Sequence, residues 1–176
     1  SLIASHLPAV LQHALRLVLD ADGLNAVAAD AGLRQALQAR AGRGQATVMT
    51  PHPLEAARLL GIDTAAVQAD RLAHAQALAD SCQATVVLKG SGSVIASPGR
   101  APWVNPTGNA RLGTGGSGDV LAGWLGGLWS QGPASDAHGA VAAAVWLHGR
   151  AAEHGDIRLP LRAGDLIDVM AASLWR

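Results

Sequence analysis

Gly108 to Leu128 reads GNARLGTGGSGDVLAGWLGGL: a run of small residues, then an aspartate, then a helical pattern. Gly113, Gly115, Gly116 and Gly118 lack a Cβ, so the backbone there can turn sharply and approach a ligand. Val120, Leu121, Trp124, Leu125 and Leu128 recur at helical spacing. A loop that opens into a helix in this way presents N–H groups at the positive end of the helix dipole, which is an anion site. Asp119 is out of place in a pure phosphate cradle. It reads as a general base or a metal-directed group beside a bound phosphate. The alternative is a first-turn acid that only complements the dipole. The small residues Thr114, Gly115, Gly116, Ser117 and Gly118 favour the site, because so many of them destabilise a chain unless the backbone must come close to something. No Gly-Lys-Ser/Thr ending follows, so this is not a Walker loop.

Outward from the loop, short aliphatic runs alternate with helical patterns. Arg16–Leu19, Ala46–Thr50 and Thr85–Leu88 read as buried strands, with Val94–Ala96 and Trp103–Asn105 as two more around a turn at Pro98-Gly99. Helices are expected at Leu7–Leu15, Leu24–Ala41 with a break near Gly32, Pro53–Leu60 closed by Gly61, Asp63–Asp80, Ser135–Glu153 and Ala163–Leu174. Such alternation means βαβ units, a parallel sheet and helices on its faces. Ligands in these sheets bind beyond the carboxyl ends of the strands. Asp20, Asp22, His52, Glu55 and Lys89 all fall there, on the side expected for the glycine loop. Gly155–Arg162 is too short a linker to separate domains, so residues 1–176 read as a single domain.

Thirteen basic and 13 acidic residues balance, with no basic stripe, which argues against nucleic acid as a partner. No apolar run approaches the roughly 18 residues of a membrane span, and no signal peptide is evident. The single cysteine, Cys82, excludes an internal disulfide framework and fits a reducing, cytoplasmic setting. With five Trp and no Phe or Tyr, the core must come from Ala, Leu and Val. An Ala/Gly-rich surface with several Trp would allow self-assembly.

Two further stretches carry candidate chemistry. Lys89-Gly90-Ser91-Gly92-Ser93 follows a strand; Lys89 could meet phosphate charge and the backbone could wrap a nucleotide, or the stretch is an ordinary turn. His52 and Glu55, three apart at a helix start, could touch a ligand and hold a water or hydrated magnesium, or form a helix cap. Asp20, Asp22 and Asn25 read equally as ligand contacts or as caps and strand-end bonds. His138 and His148 read as structural.

The loop, taken with Asn105-Pro106-Thr107-Gly108-Asn109 before it, resembles the signature of the ADP/ATP-dependent NAD(P)H-hydrate dehydratases. LDADGLN (19–25), TPHPLEAARL (50–59) and VLKG (87–90) agree with it in the same order. The resemblance implies a ribokinase-like three-layer α-β-α fold and a cofactor-repair reaction. The S-epimer of hydrated NADH or NADPH would lose its ring hydroxyl as water at the expense of ATP or ADP, with Mg²⁺. It assigns Asp119 as the base that activates the substrate hydroxyl, and the N–H groups of Thr114, Gly115, Gly116, Ser117 and Gly118 as the anion hole. Lys89, Gly90, Ser91, Gly92, Ser93 and Gly118 would contact the nucleotide. His52 and Asp119 would contact the hydrated cofactor, and Glu55 would reach the metal through water.

Family domains are longer at the N-terminus. The chain, which starts at Ser1, therefore reads as lacking the N-terminal portion of the usual domain, with room for a fused N-terminal epimerase domain in a longer protein. On that basis the 176 residues alone should bind nucleotide more readily than they turn over substrate. The competing readings are a ribokinase-like kinase of a vitamin precursor or sugar, and a nucleotide-binding domain with reduced catalysis.

Overall fold

A computed structural model describes residues 2–133, 136–154 and 160–173. The predicted helix start at Ser135, the helix end at Leu174 and residues 155–159 of the linker lie outside the described residues. The strands β1 (Arg16–Leu19), β2 (Ala46–Met49) and β3 (Thr85–Leu88) run parallel, with Leu17 opposite Thr47 and Val48 opposite Thr85. The strands β4 (Val94–Ala96) and β5 (Trp103–Val104) continue the sheet antiparallel, giving the order β1-β2-β3-β4-β5.

Successive strand side chains point to opposite faces, and here both faces are covered. Leu19, Met49, Val86, Leu88, Val94 and Ala96 pack under the helices α1 (Leu2–His13), α2 (Asp22–Ala29), α3 (Ala31–Gly42), α4 (Pro53–Leu60), α5 (Thr64–Ala69) and α6 (Arg71–Cys82). Their neighbours Val48, Val87 and Ile95 face the other way, against α7 (Ser117–Gln131) and α8 (Ala137–Glu153). A last helix, α9 (Ala163–Ser173), buries Leu166 and Met170 against Ala151 and Ala152 of α8. The result is three layers, helix on sheet on helix. Each fully buried aliphatic chain contributes about 1.5–3 kcal/mol. That scale explains how a core without Phe or Tyr can hold, with Trp129 its one large fully buried aromatic among the described residues.

Helix limits differ from the sequence pattern in several places: α1 runs Leu2–His13 where Leu7–Leu15 is expected, and α2 starts at Asp22 where Leu24 is expected. The break expected near Gly32 is at Asp30, and the helix expected across Asp63–Asp80 is divided at Asp70. Each aspartate accepts a hydrogen bond from the backbone N–H three residues on, Leu33 and Ala73 respectively, which begins a new helix. Asp22 also differs from the reading as a cap. It is the first residue of α2, and Ala21 occupies the cap position at φ 48.

Arg40 is 1 % exposed. Its guanidinium donates to the carbonyls of Leu11, Ala14 and Ala46 and to the Thr47 hydroxyl, fastening α1 and β2 to α3.

Candidate active site

The three parallel strands end side by side. The Thr50 N–H donates to the Leu19 carbonyl at 3.1 Å, and the Lys89 N–H donates to the Pro51 carbonyl at 2.8 Å. From that edge the Lys89 side chain reaches across to Asp20, with Nζ 2.9 Å from Oδ1. The same oxygen accepts from the Ala21 N–H at 2.9 Å. Lys89 Nζ lies 3.5 Å from where a Cβ on Gly118 would stand, so the ammonium group borders the first turn of α7. The structure thus brings together Asp20, Lys89 and the glycine loop.

The loop itself is a 3-10 turn, Ala110–Gly113, followed by a bend into α7. Gly116 caps the helix at φ 85, a conformation that a residue with a Cβ adopts only under strain, and that Cβ would also press on Ala163 at 3.2 Å. Ser117 turns inward: its hydroxyl donates to the Leu112 carbonyl at 2.6 Å, and its N–H makes a long bond to the Thr114 carbonyl at 3.4 Å. Asp119 is exposed in the first helical turn. It stands at the rim of a groove of about 490 Å³ lined by Gly123, Trp124, Gly127, Leu128 and Ile167, a largely apolar wall beside a carboxylate. A smaller groove of about 290 Å³ lies between β5 and α8, walled by Ile95, Trp103, Ala142 and Trp146, and touches none of the expected site residues.

His52 and Glu55 form a reciprocal cap on α4. The Glu55 N–H donates to His52 Nδ1 at 3.3 Å, and the His52 N–H donates to Glu55 Oε2 at 2.8 Å. The second carboxylate oxygen of Glu55 is 3.4 Å from His52 Nε2. Glu55 is buried, whereas the His52 ring is about half exposed. Asn25 donates to the Ala21 carbonyl and accepts from Arg58. In the β3–β4 connection, the Ser93 hydroxyl donates to the Gly90 carbonyl and the Ser93 carbonyl accepts from the Asn105 N–H. The turn closes on itself and leaves Lys89 and Gly118 as its contact with the loop.

Three features escape the sequence reading. Arg71, at the start of α6, donates to the carbonyls of Leu88 and Ser91 and so braces the Lys89 turn from below. No local pattern marks it. Secondly, the stretch from Asn105 to Arg111 hangs from α8. Thr107 Oγ1 donates to the Trp146 carbonyl, Asn109 Nδ2 and Arg111 donate to the Ala152 carbonyl, and the Gly108 N–H donates to Glu153. That last bond holds the Glu153 carboxyl below its ordinary pKa. Thirdly, the buried His148 Nε2 sits 3.0 Å from the Ser117 carbonyl. Burial holds its imidazole below the usual pKa, against the opposing pull of that carbonyl. A neutral ring makes this bond as the donor, with its proton on Nε2.

The sequence profile of the NAD(P)H-hydrate dehydratase family matches residues 2–158. An ADP-dependent (S)-NAD(P)H-hydrate dehydratase of Neisseria meningitidis is 46 % identical over 155 residues, covering 85 % of this chain and 50 % of that protein. A bifunctional NAD(P)H-hydrate repair enzyme of Moorella thermoacetica is 42 % identical over 156 residues, covering 87 % and 28 %. Among solved structures, the ADP/ATP-dependent NAD(P)H-hydrate dehydratase of Bacillus subtilis co-crystallised with ATP/Mg²⁺ superposes with a TM-score of 0.74 at 34 % identity, covering 92 % of this chain and 55 % of the other. An Arabidopsis thaliana ribokinase, at 13 % identity and a TM-score of 0.50, shares the fold alone. The chain spans half the length of the Neisseria relative and a smaller share of the bifunctional one. With its sheet, its glycine loop and this breadth of sequence agreement, the chain belongs to the NAD(P)H-hydrate dehydratase family and has the ribokinase-like fold.

Proposed function

We propose that residues 1–176 are the nucleotide-binding and catalytic part of a dehydratase domain that restores NADH or NADPH from the S-epimer of its hydrate at the expense of ADP or ATP. The observation that carries the reading is the neighbourhood of Asp119. It is an exposed carboxylate one residue past Gly118, at the dipole-positive end of a 15-residue helix, with the Lys89 ammonium group alongside. Anion-binding N–H groups, a cation and a base in one place suit phosphoryl transfer to a hydroxyl.

Hydroxide is a poor leaving group and phosphate a good one. Asp119 takes the proton of the ring hydroxyl as its oxygen attacks the terminal phosphorus of the nucleotide. The N–H groups of Thr114, Gly115, Gly116 and Gly118, with Lys89, stabilise the equatorial oxygens; the Ser117 N–H, expected to join them, is engaged by the Thr114 carbonyl. The C–O bond of that ester then breaks, phosphate leaving with the bonding pair as the ring nitrogen pushes, and a proton lost from the adjacent carbon restores the double bond. The products are NAD(P)H, phosphate and the shortened nucleotide. The nucleotide phosphates would lie against Lys89 and the loop, and the hydrated ring between Asp119 and the half-exposed His52.

The protein offers Mg²⁺ no cage: among the described residues no three His, Cys, Asp or Glu side chains gather to hold a metal. Asp20 is paired with Lys89, and both oxygens of Glu55 face His52, which leaves Glu55 only a water-mediated contact with an ion carried by the phosphates.

The buried thiol of Cys82 fits the cytoplasm. The family's bifunctional members suggest a fused N-terminal epimerase in a longer protein. The half-exposed Trp103 and Trp146 would serve contact with a second copy. The deciding assay supplies hydrated NADH with ADP or ATP and follows recovery of NADH absorbance. Recovery supports the proposal. Nucleotide binding with no recovery would restrict the 176 residues to the binding role. Phosphorylation of a vitamin or sugar alcohol instead would replace the dehydratase with a kinase.

A further inference from the structure

The glycine bend is a short exposed span between two anchored ends, and both anchors are on α8. Before the bend, Asn109 hangs from the Ala152 carbonyl and orders the 3-10 turn by accepting from the Arg111 N–H. After it, Ser117 is held at its carbonyl by His148 and at its hydroxyl by Leu112. His148 is 6 % exposed and lies on the same buried face of α8 as Val141, Val145 and Ala152. Its neighbour Gly149 lets the chain entering the loop lie directly on the helix, since a Cβ there would come within 2.7 Å of the Thr107 carbonyl carbon. The angle at which the N–H groups of Gly115 to Gly118 leave the bend is therefore set by where α8 holds the two ends.

We infer that His148 is a positioning residue for the anion loop, aiming the backbone donors of Gly115, Gly116 and Gly118 through its bond to the Ser117 carbonyl. This deepens the phosphate-binding reading of the loop and rests on it. His148 touches neither nucleotide nor substrate in this scheme. Its buried imidazole gives a fixed donor where a hydroxyl or an exposed amine would trade partners with water.

The test combines NMR of the 176-residue chain with titration by ADP. In the wild-type chain the His148 proton should reside on Nε2, with a through-bond coupling to the Ser117 carbonyl carbon. In His148→Phe, the Gly115, Gly116 and Gly118 amide signals should move in the ligand-free protein. ADP affinity should fall about tenfold, the effect of one buried hydrogen bond. In His148→Gln, which keeps a side-chain N–H donor, most of both effects should be recovered. A proton on Nδ1, or loop amides unmoved in His148→Phe, overturns the inference. So does a folded His148→Gln as impaired as His148→Phe, since packing and not the donor would then matter. If His148→Phe does not fold, the tautomer of the wild-type chain and the loop amides of His148→Gln decide: an Nε2 proton with loop amides at wild-type positions supports the inference, and an Nδ1 proton or displaced amides overturn it. If the wild-type chain fails to bind ADP while it shows the Nε2 proton and His148→Phe shows the moved amides, the nucleotide reading falls and the positioning role stands.

Discussion

The Lys89 ammonium group lies 2.9 Å from Asp20 Oδ1, tying the end of β3 to the end of β1 across the exit of β2. This pair holds the cation beside the first turn of α7, partly shielded from water. Lys89→Met should lower affinity for ADP or ATP about tenfold or more, because a charge-assisted contact to phosphate is lost. Asp20→Asn should leave affinity within about threefold, since it frees the ammonium group without removing it. Calorimetric titration of both variants checks this, and equal losses would mean that the pair matters only as a strut.

Asp119 makes a narrower claim. It is exposed and part of no ion pair among the described residues, so Asp119→Asn should leave folding and nucleotide affinity nearly unchanged. Turnover should fall by about 10²–10⁴, the usual contribution of a general base. Retention of a near-normal rate in the absorbance assay would remove Asp119 from the role.

Arg40 tests the fold away from the site. Arg40→Met leaves the carbonyls of Leu11, Ala14 and Ala46 buried without their donor. Buried acceptors left in this state cost about 1–3 kcal/mol each before relaxation, so a total loss of about 2–4 kcal/mol is expected. Urea unfolding should show the midpoint falling with little change in slope. A midpoint within error of the wild type would show that water satisfies those carbonyls.

The two buried histidines predict a pH dependence. Burial holds His148 below the ordinary imidazole value of 6.5. Burial does the same at His138, where nearby Arg100 adds to the effect and Asp136 opposes it. Both bases stay neutral in the fold while the unfolded chain takes up protons first. Stability from this source is full above about pH 6.5 and declines as pH falls from there toward the folded-state values. The melting temperature should therefore drop between about pH 7.5 and about pH 5. His148→Gln should make that drop shallower; an equally steep profile in the variant would exclude His148 as a source.

Gly149→Ala should disturb the loop without touching it. The added methyl would overlap Thr107, 2.2 Å from its hydroxyl oxygen, and push the Asn105–Asn109 stretch off α8. A loss of about 1–3 kcal/mol is expected, the usual result of overpacking. ADP affinity should weaken with it. Normal affinity at reduced stability would uncouple the clamp from the site.

Local sequence carries the alternation of strands and helices, the glycine bend opening into a helix, and the strand-end positions of Asp20, His52 and Lys89. These are local properties: period-2 and period-3.6 patterns, residues that start and stop helices, and backbone freedom at glycine. The unforeseen break at Asp70 shows the limit of that reading, because an aspartate is found both at caps and within helices, and here it caps α6. Packing across the sheet settled that Asp20 pairs with Lys89, 69 residues away, and that Arg71 braces the turn beside it. It also decided that His148 holds Ser117. Those contacts join segments brought together by packing on two faces of one sheet, and no local pattern records them. A helical histidine beside a glycine looks structural in sequence; its role follows from the carbonyl that the fold places 3.0 Å away.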